Sequence, residues 1–389
     1  MKIEIIHEVS DKLSRVGCKA AALIISLSVS VLAVSCAGGV DTQNTTLDIS
    51  PDSTVDEQVL SDMAASIATE TSSGTAEETD VTADPEASGT GPEVTVSFIG
   101  DLTLTQDINV RNSACFDSVV GNDLDYCFKN CKAVFEKDDM TLANLENAVT
   151  TRQSHASKQF VFGMKPANLE MLKRASIECV NIANNHTKDY LLEGLEDTRK
   201  NLDEYGIVWS DQNSVSTYEV NGILIGMFGL SNSGTASQGY GLIDQLKQKG
   251  CDIIIASCHW GIEAKYEASG DQKALGRALI DHGADIVIGH HPHRLQPIEY
   301  YNGHYIVYSL SNFCFGGNNK LSDPDSVIIQ CKFIMDEKGD NCVDYRLKVI
   351  PYAQTSTRPG NDFCPKPYDW GSEDYYRCLK RLEWSTEDE

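Results

Sequence analysis

The chain has 389 residues and contains 57 Asp and Glu against 32 Lys and Arg, so its formal net charge is −25. This composition excludes nucleic acid as the main partner, because a phosphate backbone requires a basic surface. With 41% hydrophobic residues the chain is globular, neither fibrous nor a multi-span membrane protein. The acidity is uneven, since residues 41–93 hold thirteen acidic groups and no Lys or Arg.

The first forty residues are typical of an export or anchoring segment. Lys12, Arg15 and Lys19 precede an uncharged apolar run over residues 20–34, and Cys36 follows. This order is typical of a bacterial signal sequence. The cysteine favours a lipoprotein lipidated at Cys36, while the length of the run leaves open a signal anchor. Either would place the chain on the extracytoplasmic face of the cell membrane; cleaved secretion is a third alternative.

The composition divides the rest of the chain into three parts. Residues 41–93 lack aromatic residues and are rich in Thr, Ser and acidic residues, so we predict a disordered acidic tether. Residues 94–318 are predicted to form the main domain. Residues 319–389 are predicted to be a C-terminal extension packed on the same domain, with a β-hairpin flanking residues 336–340.

From Val94 onward, short apolar runs rich in β-branched residues alternate with helical stretches such as residues 191–205 and 272–282. Continuous apolar strands separated by helices indicate an α/β fold with a sheet covered on both faces. Ligands of such sheets bind beyond the carboxyl ends of the strands. Polar residues stand at those ends, namely Asp101, Glu146, Asn185, His186, His259, His291 and His293.

These strand ends predict a metal site. Five of the nine histidines fall at three of them. Imidazole and carboxylate ligands together suit zinc, manganese or iron, with Asp101 and Glu146 supplying negative charge and Asn185 a neutral oxygen. One or two such divalent ions could polarise a phosphoryl or carbonyl oxygen and generate hydroxide. His186 lies next to a predicted ligand and is the candidate general acid.

The ordered motifs resemble those of the capsule-synthesis CapA family, which is associated with poly-γ-glutamate capsules and belongs to the calcineurin-like metallophosphoesterase superfamily. The resemblance runs from about Val94 to Phe315 and rests on Gly100-Asp101, Asn144-Leu145-Glu146, Ala183-Asn184-Asn185-His186 with Asp189-Tyr190, His259-Trp260-Gly261-Ile262-Glu263, Gly289-His290-His291-Pro292-His293 and Tyr308-Ser309-Leu310-Ser311-Asn312-Phe313. It implies a four-layer α/β/β/α metallophosphoesterase-like sandwich. It also implies metal-ligand roles for Asp101, Glu146, Asn185, His259, His291 and His293, and a proton-donor role for His186.

The sequence departs from the family pattern at three positions. Glu146 stands where the superfamily has its second, bridging aspartate. Thr103 stands where the superfamily's opening Asp-x-His motif has histidine, so one ligand of the first metal is missing and a single ion is possible. Ser311 stands where the family has glycine, at a tight position of the backbone.

Two functions follow from the resemblance. One is a metal-dependent hydrolase acting on a phosphoester or on the amide links of an anionic polymer. The other is a polymer-binding component of a membrane-embedded capsule synthesis or export complex, with a vestigial metal site. Asn144, Glu263 and Arg294 lie within the motifs and are candidates for substrate contact. Because residues 94–389 carry a net charge of −13, bound cations or a local basic patch must offset repulsion of an anionic substrate such as poly-γ-glutamate.

Overall fold

The computed structural model describes residues 91–339 and 341–385. The predicted export segment and nearly all of the predicted tether lie outside these residues. Among the described residues, no helix has both the length and the apolar character needed to cross a membrane.

The described chain contains sixteen β-strands. In chain order they are β1 (Glu93–Thr103), β2 (Met140–Leu145), β3 (Ala148–Val149), β4 (Gly163–Met164), β5 (Cys179–Asn181), β6 (Val208–Ser210), β7 (Ser216–Val220), β8 (Ile223–Leu230), β9 (Ile253–His259), β10 (Ile286–His290), β11 (Leu295–Tyr301), β12 (His304–Leu310), β13 (Asn312–Phe315), β14 (Asp325–Met335), β15 (Cys342–Ala353) and β16 (Lys366–Pro367).

Seven α-helices connect or flank these strands. They are α1 (Phe116–Val120), α2 (Lys132–Phe135), α3 (Glu170–Arg174), α4 (Leu191–Tyr205), α5 (Ala236–Gln248), α6 (Gly270–Asp281) and α7 (Glu373–Leu382). The longer helices have local start signals. Ser269 and Gln272 form a capping box at the start of α6, and Gly206 ends α4 in the left-handed conformation that glycine adopts without strain.

Fourteen of these strands form two large sheets, and β3 and β4 pair with each other in a small third sheet. The first has the order β16-β15-β14-β1-β2-β5-β6, with β13 also paired to β1, and the second has the order β11-β12-β10-β9-β8-β7. β1, β2, β5 and β6 are parallel, as are β8, β9, β10 and β12. Each sheet therefore gathers the carboxyl ends of four strands at one edge.

The buried apolar residues form three layers of packing. One cluster lies between the two sheets and includes Phe98, Ile255 and Phe333. A second joins the outer face of the first sheet to α3 and α4, and a third joins the outer face of the second sheet to α5 and α6. This arrangement is the four-layer α/β/β/α sandwich that the sequence resemblance predicts, and the fold class is confirmed.

The predicted C-terminal hairpin is also confirmed. β14 and β15 pair antiparallel, and β14 pairs with the amino-terminal part of β1, so the hairpin extends the first sheet. Helix α7 follows, with Ser372 as its N-cap and with Tyr375, Cys378 and Leu379 buried against the core between the sheets.

Candidate metal centre

The two parallel edges bring the predicted residues to one place. In the first sheet Asp101 on β1 pairs with Asn144 on β2, and Glu146 follows β2 directly. In the second sheet His290 on β10 pairs with His259 on β9. The next residues along the chain, including His291 and His293, continue over this edge. Strand order and register thus collect side chains that are almost 200 positions apart in the sequence.

Asp101 is fully buried at the centre of the cluster. Its Oδ1 accepts a hydrogen bond from Asn144 Nδ2 at 2.8 Å and lies 3.2 Å from His290 Nδ1, while its Oδ2 lies 3.2 Å from His293 Nδ1. Burial alone would raise the pKa of Asp101. The adjacent imidazoles of His290 and His293 outweigh it and hold that pKa well below its usual range, so this carboxylate is ionised.

Glu146 is equally buried but has no such partners. Neither of its carboxylate oxygens accepts a hydrogen bond from any described residue. Burial, and then the charge of the neighbouring Asp101, raise its pKa well above the usual range. A buried, ionised carboxylate without donors is costly, so this position is neutralised either by a proton, as the raised pKa indicates, or by a bound cation.

Donor atoms suited to a metal surround Glu146 on two sides. Glu146, His291 and His293 present one group of ligand atoms within 4.8 Å of one another, and Asp101, Glu146 and His259 present another. His259 Nε2 lies 3.5 Å from Glu146 Oε1, and its ring centroid is 4.7 Å from that of His291. Because Glu146 belongs to both groups, the donor set would hold either one ion or two.

The types of donor atom in these groups are those that bind transition metals. Carboxylate and imidazole are ligands of zinc, manganese and iron, and burial keeps His259 in the neutral form that binds metal by lowering its pKa. Asn185 also reaches the centre, with its Oδ1 2.7 Å from His259 Nε2. All six predicted ligands therefore meet at one edge of the sandwich; their roles as ligands stay a prediction.

His186 lies at the border of the cluster. Its Nδ1 is 2.7 Å from Oδ2 of the fully buried Asp189, and its Nε2 is 4.0 Å from Glu146 Oε1. Phe162 packs on the imidazole with ring centroids 4.6 Å apart, and Lys158 Nζ lies 2.7 Å from Asp189 Oδ1. The Asp189 carboxylate thus orients the ring so that Nε2 faces the cluster.

The three predicted substrate contacts have different settings. Asn144 is fully buried and bridges Asp101 and His259, the second at 3.2 Å from its Nδ2, so it positions ligands instead of facing a substrate. Glu263 is exposed and close enough to influence Glu146 and His291. Arg294 turns away, because its guanidinium bonds to Ser322 Oγ at 2.8 Å and lies 3.8 Å from Asp323.

The reasoning from sequence gave no site role to three residues that the structure places here. His290 is one of the strand-end histidines and contacts Asp101, whereas the sequence predicts ligand roles only for its neighbours His291 and His293. Asp189 belongs to the motif that contains Asn185 and His186, but the sequence alone predicts no role for it. Lys158 carries no local signal, because only the folded chain brings it to His186.

The backbone around the cluster is unusual at three non-glycine residues. His291, His293 and Ser311 have φ values of 93°, 52° and 63°. Such values are disfavoured for residues with a Cβ and concentrate at functional sites. Ser311 occupies the expected tight position: its carbonyl oxygen would lie 2.1 Å from a Cβ added at Gly100, and it accepts the N–H of Asp101 at 3.0 Å.

A comparison with known protein families gives a match, which covers the part of the chain that contains the candidate centre. Residues 95–317 match the model of the bacterial capsule synthesis protein PGA_cap family. The chain belongs to this family. The match begins in β1 and ends shortly after β13, so it contains every predicted ligand.

Individual relatives point the same way. The PGA biosynthesis protein CapA of Bacillus subtilis is 32% identical over 251 residues, which are 57% of this chain and 63% of the relative. The capsule biosynthesis protein CapA of Bacillus anthracis is 27% identical over 268 residues, 61% of this chain and 63% of the relative. The chain thus spans under two thirds of either relative. A phosphatase structure from Mycoplasma pneumoniae has a TM-score of 0.41 at 14% identity, covering 67% of this chain and 94% of that one, a likeness too low to indicate function.

Proposed function

We propose that the chain is a metal-dependent hydrolase that acts outside the cytoplasm in capsular poly-γ-glutamate synthesis or export. Its substrate would be the amide links of that polymer or a phosphoester. The proposal rests on family membership together with one observation: Glu146 is buried between two groups of metal-binding donors, and no described residue donates to either of its oxygens.

The residues present support a division of roles. Asp101, Glu146, Asn185, His259, His291 and His293 would hold one or two divalent ions of manganese, zinc or iron. Bound there, such ions supply Lewis acidity toward a phosphoryl or carbonyl oxygen. His186 would keep its Nδ1–H on Asp189 and deliver the proton on Nε2 to the leaving group. Asn144 keeps Asp101 and His259 in place through its amide.

Metal analysis of the purified full-length chain tests the site itself. We expect at least one transition-metal ion per chain, and we expect His291→Ala to lose it. His282→Ala is the matched control, because His282 lies at the end of α6 against Asp244, away from the cluster. A wild-type chain that takes up no metal would sink the proposal.

Hydrolysis of a generic phosphodiester with Mn²⁺ tests the catalytic role. We expect His186→Ala to lower kcat by about 10²- to 10⁴-fold, because a positioned general acid contributes that much, while metal content is unchanged. Equal rates in the variant and the wild type would remove His186 as the acid.

The second candidate function is a polymer-binding component of the synthesis complex, with a vestigial metal site. Thr103 favours it, because the histidine of the superfamily's first motif is absent and the Thr103 hydroxyl instead donates to the backbone oxygen of Glu146. Metal binding without any hydrolysis, combined with binding of the polymer, is the outcome that would select this function.

The proposed location is the extracytoplasmic face of the membrane, held by a lipid on Cys36 or by an uncleaved signal anchor. Cell fractionation with Cys36→Ala separates the two. Release of the protein from the membrane fraction indicates the lipid anchor, and unchanged membrane association indicates the signal anchor.

A further inference from the structure

A cavity lies beside the candidate metal centre and differs from it in charge. Its volume is about 530 Å³, and its wall includes Arg111, Arg152 and Lys165 against a single carboxylate, that of Asp117. A net positive wall is unusual on a domain in which acidic residues outnumber basic ones by 41 to 28. Its local charge attracts anions that the domain as a whole repels.

Two of these cations are available to a ligand. Arg152 is already held by Asp197 through two hydrogen bonds of 2.7 and 3.0 Å. By contrast, Arg111 and Lys165 form no ion pair with any carboxylate in residues 91–339 and 341–385. Asp117 is engaged by Gln106, whose Nε2 donates to it at 2.9 Å.

The segment that forms much of the wall is itself basic. Residues 150–165 contain Arg152, Lys158, Lys165 and His155 and no Asp or Glu. Most of residues 151–160 are exposed. The same segment sends Lys158 toward the metal centre, where its Nζ lies 3.0 Å from the carbonyl oxygen of Asn185. Lys158 is itself paired with Asp189, so the unpaired positive charge lies in the cavity, while the segment connects the cavity to the border of the metal centre.

The cavity and the metal centre also share a wall. Tyr190 and Gly163 line the cavity, and their chain neighbours Asp189 and Phe162 contact His186. Tyr190 packs so closely on Gly163 that a Cβ added there would lie 2.5 Å from its ring. An extended ligand in the cavity would therefore pass next to His186.

We propose that this cavity is a subsite for carboxylate groups of an extended polyanion whose reacting bond lies at the metal centre. The proposal builds on the proposed function and adds the residues that recognise the substrate, Arg111 and Lys165. Carboxylate is favoured over phosphate because Asp117 limits the excess positive charge, which suits singly charged groups. Thr151 and Gln153 also line the cavity and offer polar groups to the amide links of such a chain.

The test measures binding of a synthetic γ-linked glutamate hexamer to the full-length chain by calorimetry at low salt, with metal removed by chelation. We expect the double variant Arg111→Gln, Lys165→Gln to weaken binding about tenfold, because it removes two cation–carboxylate contacts. Its matched control is Lys137→Gln, Lys249→Gln, which removes the same charge from exposed positions elsewhere, and should change affinity less than twofold.

Each outcome decides the proposal independently of catalysis. Equal affinity of the double variant and the wild type, or no binding of the hexamer to the wild type, overturns it. Tighter binding of a short polyphosphate than of the hexamer overturns the assignment to carboxylates. Weakened binding in the double variant upholds the subsite even if the chain hydrolyses nothing, in which case only the proposed function fails. Hydrolysis of a small phosphodiester without carboxylates should be equal in the wild type and both double variants.

Discussion

Asp323 and Asp325 are nearly as deeply buried as Asp101 and Glu146, yet the two pairs of carboxylates have different neighbours. At the C-terminal pair, Arg377 and Arg381 of α7 bind directly, with Arg377 Nη2 2.6 Å from Asp325 and Arg381 Nη1 2.7 Å from Asp323. At the metal centre no arginine or lysine reaches the pair; among the described residues only imidazole and amide groups lie close.

This difference shows which cations the fold itself supplies. Burial raises the pKa of Asp323, but hydrogen bonds from Arg381 outweigh it and leave that pKa lowered. At Glu146 nothing outweighs burial, and the pKa is raised well above its usual range. The arginine-bound pair is complete within the chain and anchors α7 to β14. At the other pair no described residue supplies a lysine or arginine, and the surrounding donors are of the kind that bind a metal ion.

Replacement of Glu146 tests most directly whether the carboxylates of the candidate centre bind metal. We expect Glu146→Gln to weaken transition-metal binding at least about 100-fold, because both donor groups share this carboxylate. Metal added at 100 times the wild-type Kd should stabilise the wild type by about 2.7 kcal/mol and the variant by no more than about 0.4 kcal/mol. Thermal unfolding with and without metal measures both effects.

The control for this variant is Glu263→Gln, which removes an exposed carboxylate near the same centre. It should retain metal-dependent stabilisation. If Glu146→Gln bound metal as tightly as the wild type, the shared carboxylate would not be a ligand.

Replacing an arginine-bound carboxylate should give the opposite result, a loss of stability that metal cannot restore. We expect Asp325→Asn to lower the free energy of unfolding by about 3 kcal/mol, since it leaves Arg377 without its buried partner and removes one of the two buried carboxylates that Arg381 contacts. Denaturant unfolding at fixed metal concentration measures this.

The matched control is Asp374→Asn, which removes a partly exposed carboxylate from the same Arg377. Its expected effect is below about 1 kcal/mol, as for surface ion pairs. An Asp325→Asn variant as stable as this control would contradict the anchoring role of the network.

A third group of carboxylates has neither arginine nor metal-binding neighbours within the part of the chain that the structure describes. Glu178 and Asp138 accept hydrogen bonds from the N–H and Oγ1–H of Thr141, at 2.9 and 2.8 Å. Burial outweighs these bonds and raises the pKa of Glu178 to about 7 and that of Asp138 to about 6. The folded state then holds protons more tightly than the unfolded state, so stability falls as the pH rises from 4.5 to about 7.

We expect Glu178→Gln to reduce that fall by about 1 kcal/mol, a value that allows for the partial exposure of Glu178. Unfolding at pH 5 and pH 8 in the Glu146→Gln background keeps proton-linked metal binding out of the measurement. The control Glu204→Gln, at an exposed pair with Lys200, should leave the pH dependence unchanged. A Glu178→Gln variant with the full wild-type pH dependence would show that this carboxylate is not the titrating group.

The sequence predicted which side chains meet at the candidate centre, because the residues after parallel strands lie at the same edge of a sheet. Asp101, Glu146, His259 and His291 each follow an apolar run, and carboxyl ends of parallel strands meet at one edge. The same rule could not distinguish a predicted ligand from a residue that holds the ligand in position. Asn144 lies inside the apolar run that Glu146 ends, and only its contacts with Asp101 and His259 show that it is a positioning residue.

Lys158 and Arg294 show that local sequence does not predict the partners of long side chains. Lys158 lies in a segment without periodic pattern, yet it reaches Asp189 and the carbonyl of Asn185. Arg294 directly follows a predicted ligand, yet its guanidinium belongs to the network of Asp323. The direction of a long side chain depends on partners from distant segments, which local sequence does not encode.

The sequence by itself determined the order of strands and helices, the family, and the set of acidic and imidazole groups at the strand ends, because these follow from local apolar periodicity and motif spacing. Only the tertiary structure decided which buried carboxylates receive a cation from the chain. Asp325 meets arginines more than fifty positions away, whereas Glu146 meets none in residues 91–339 and 341–385. That pairing depends on how α7 and the two sheet edges pack, since burial makes each carboxylate sensitive to every charge within a few ångströms.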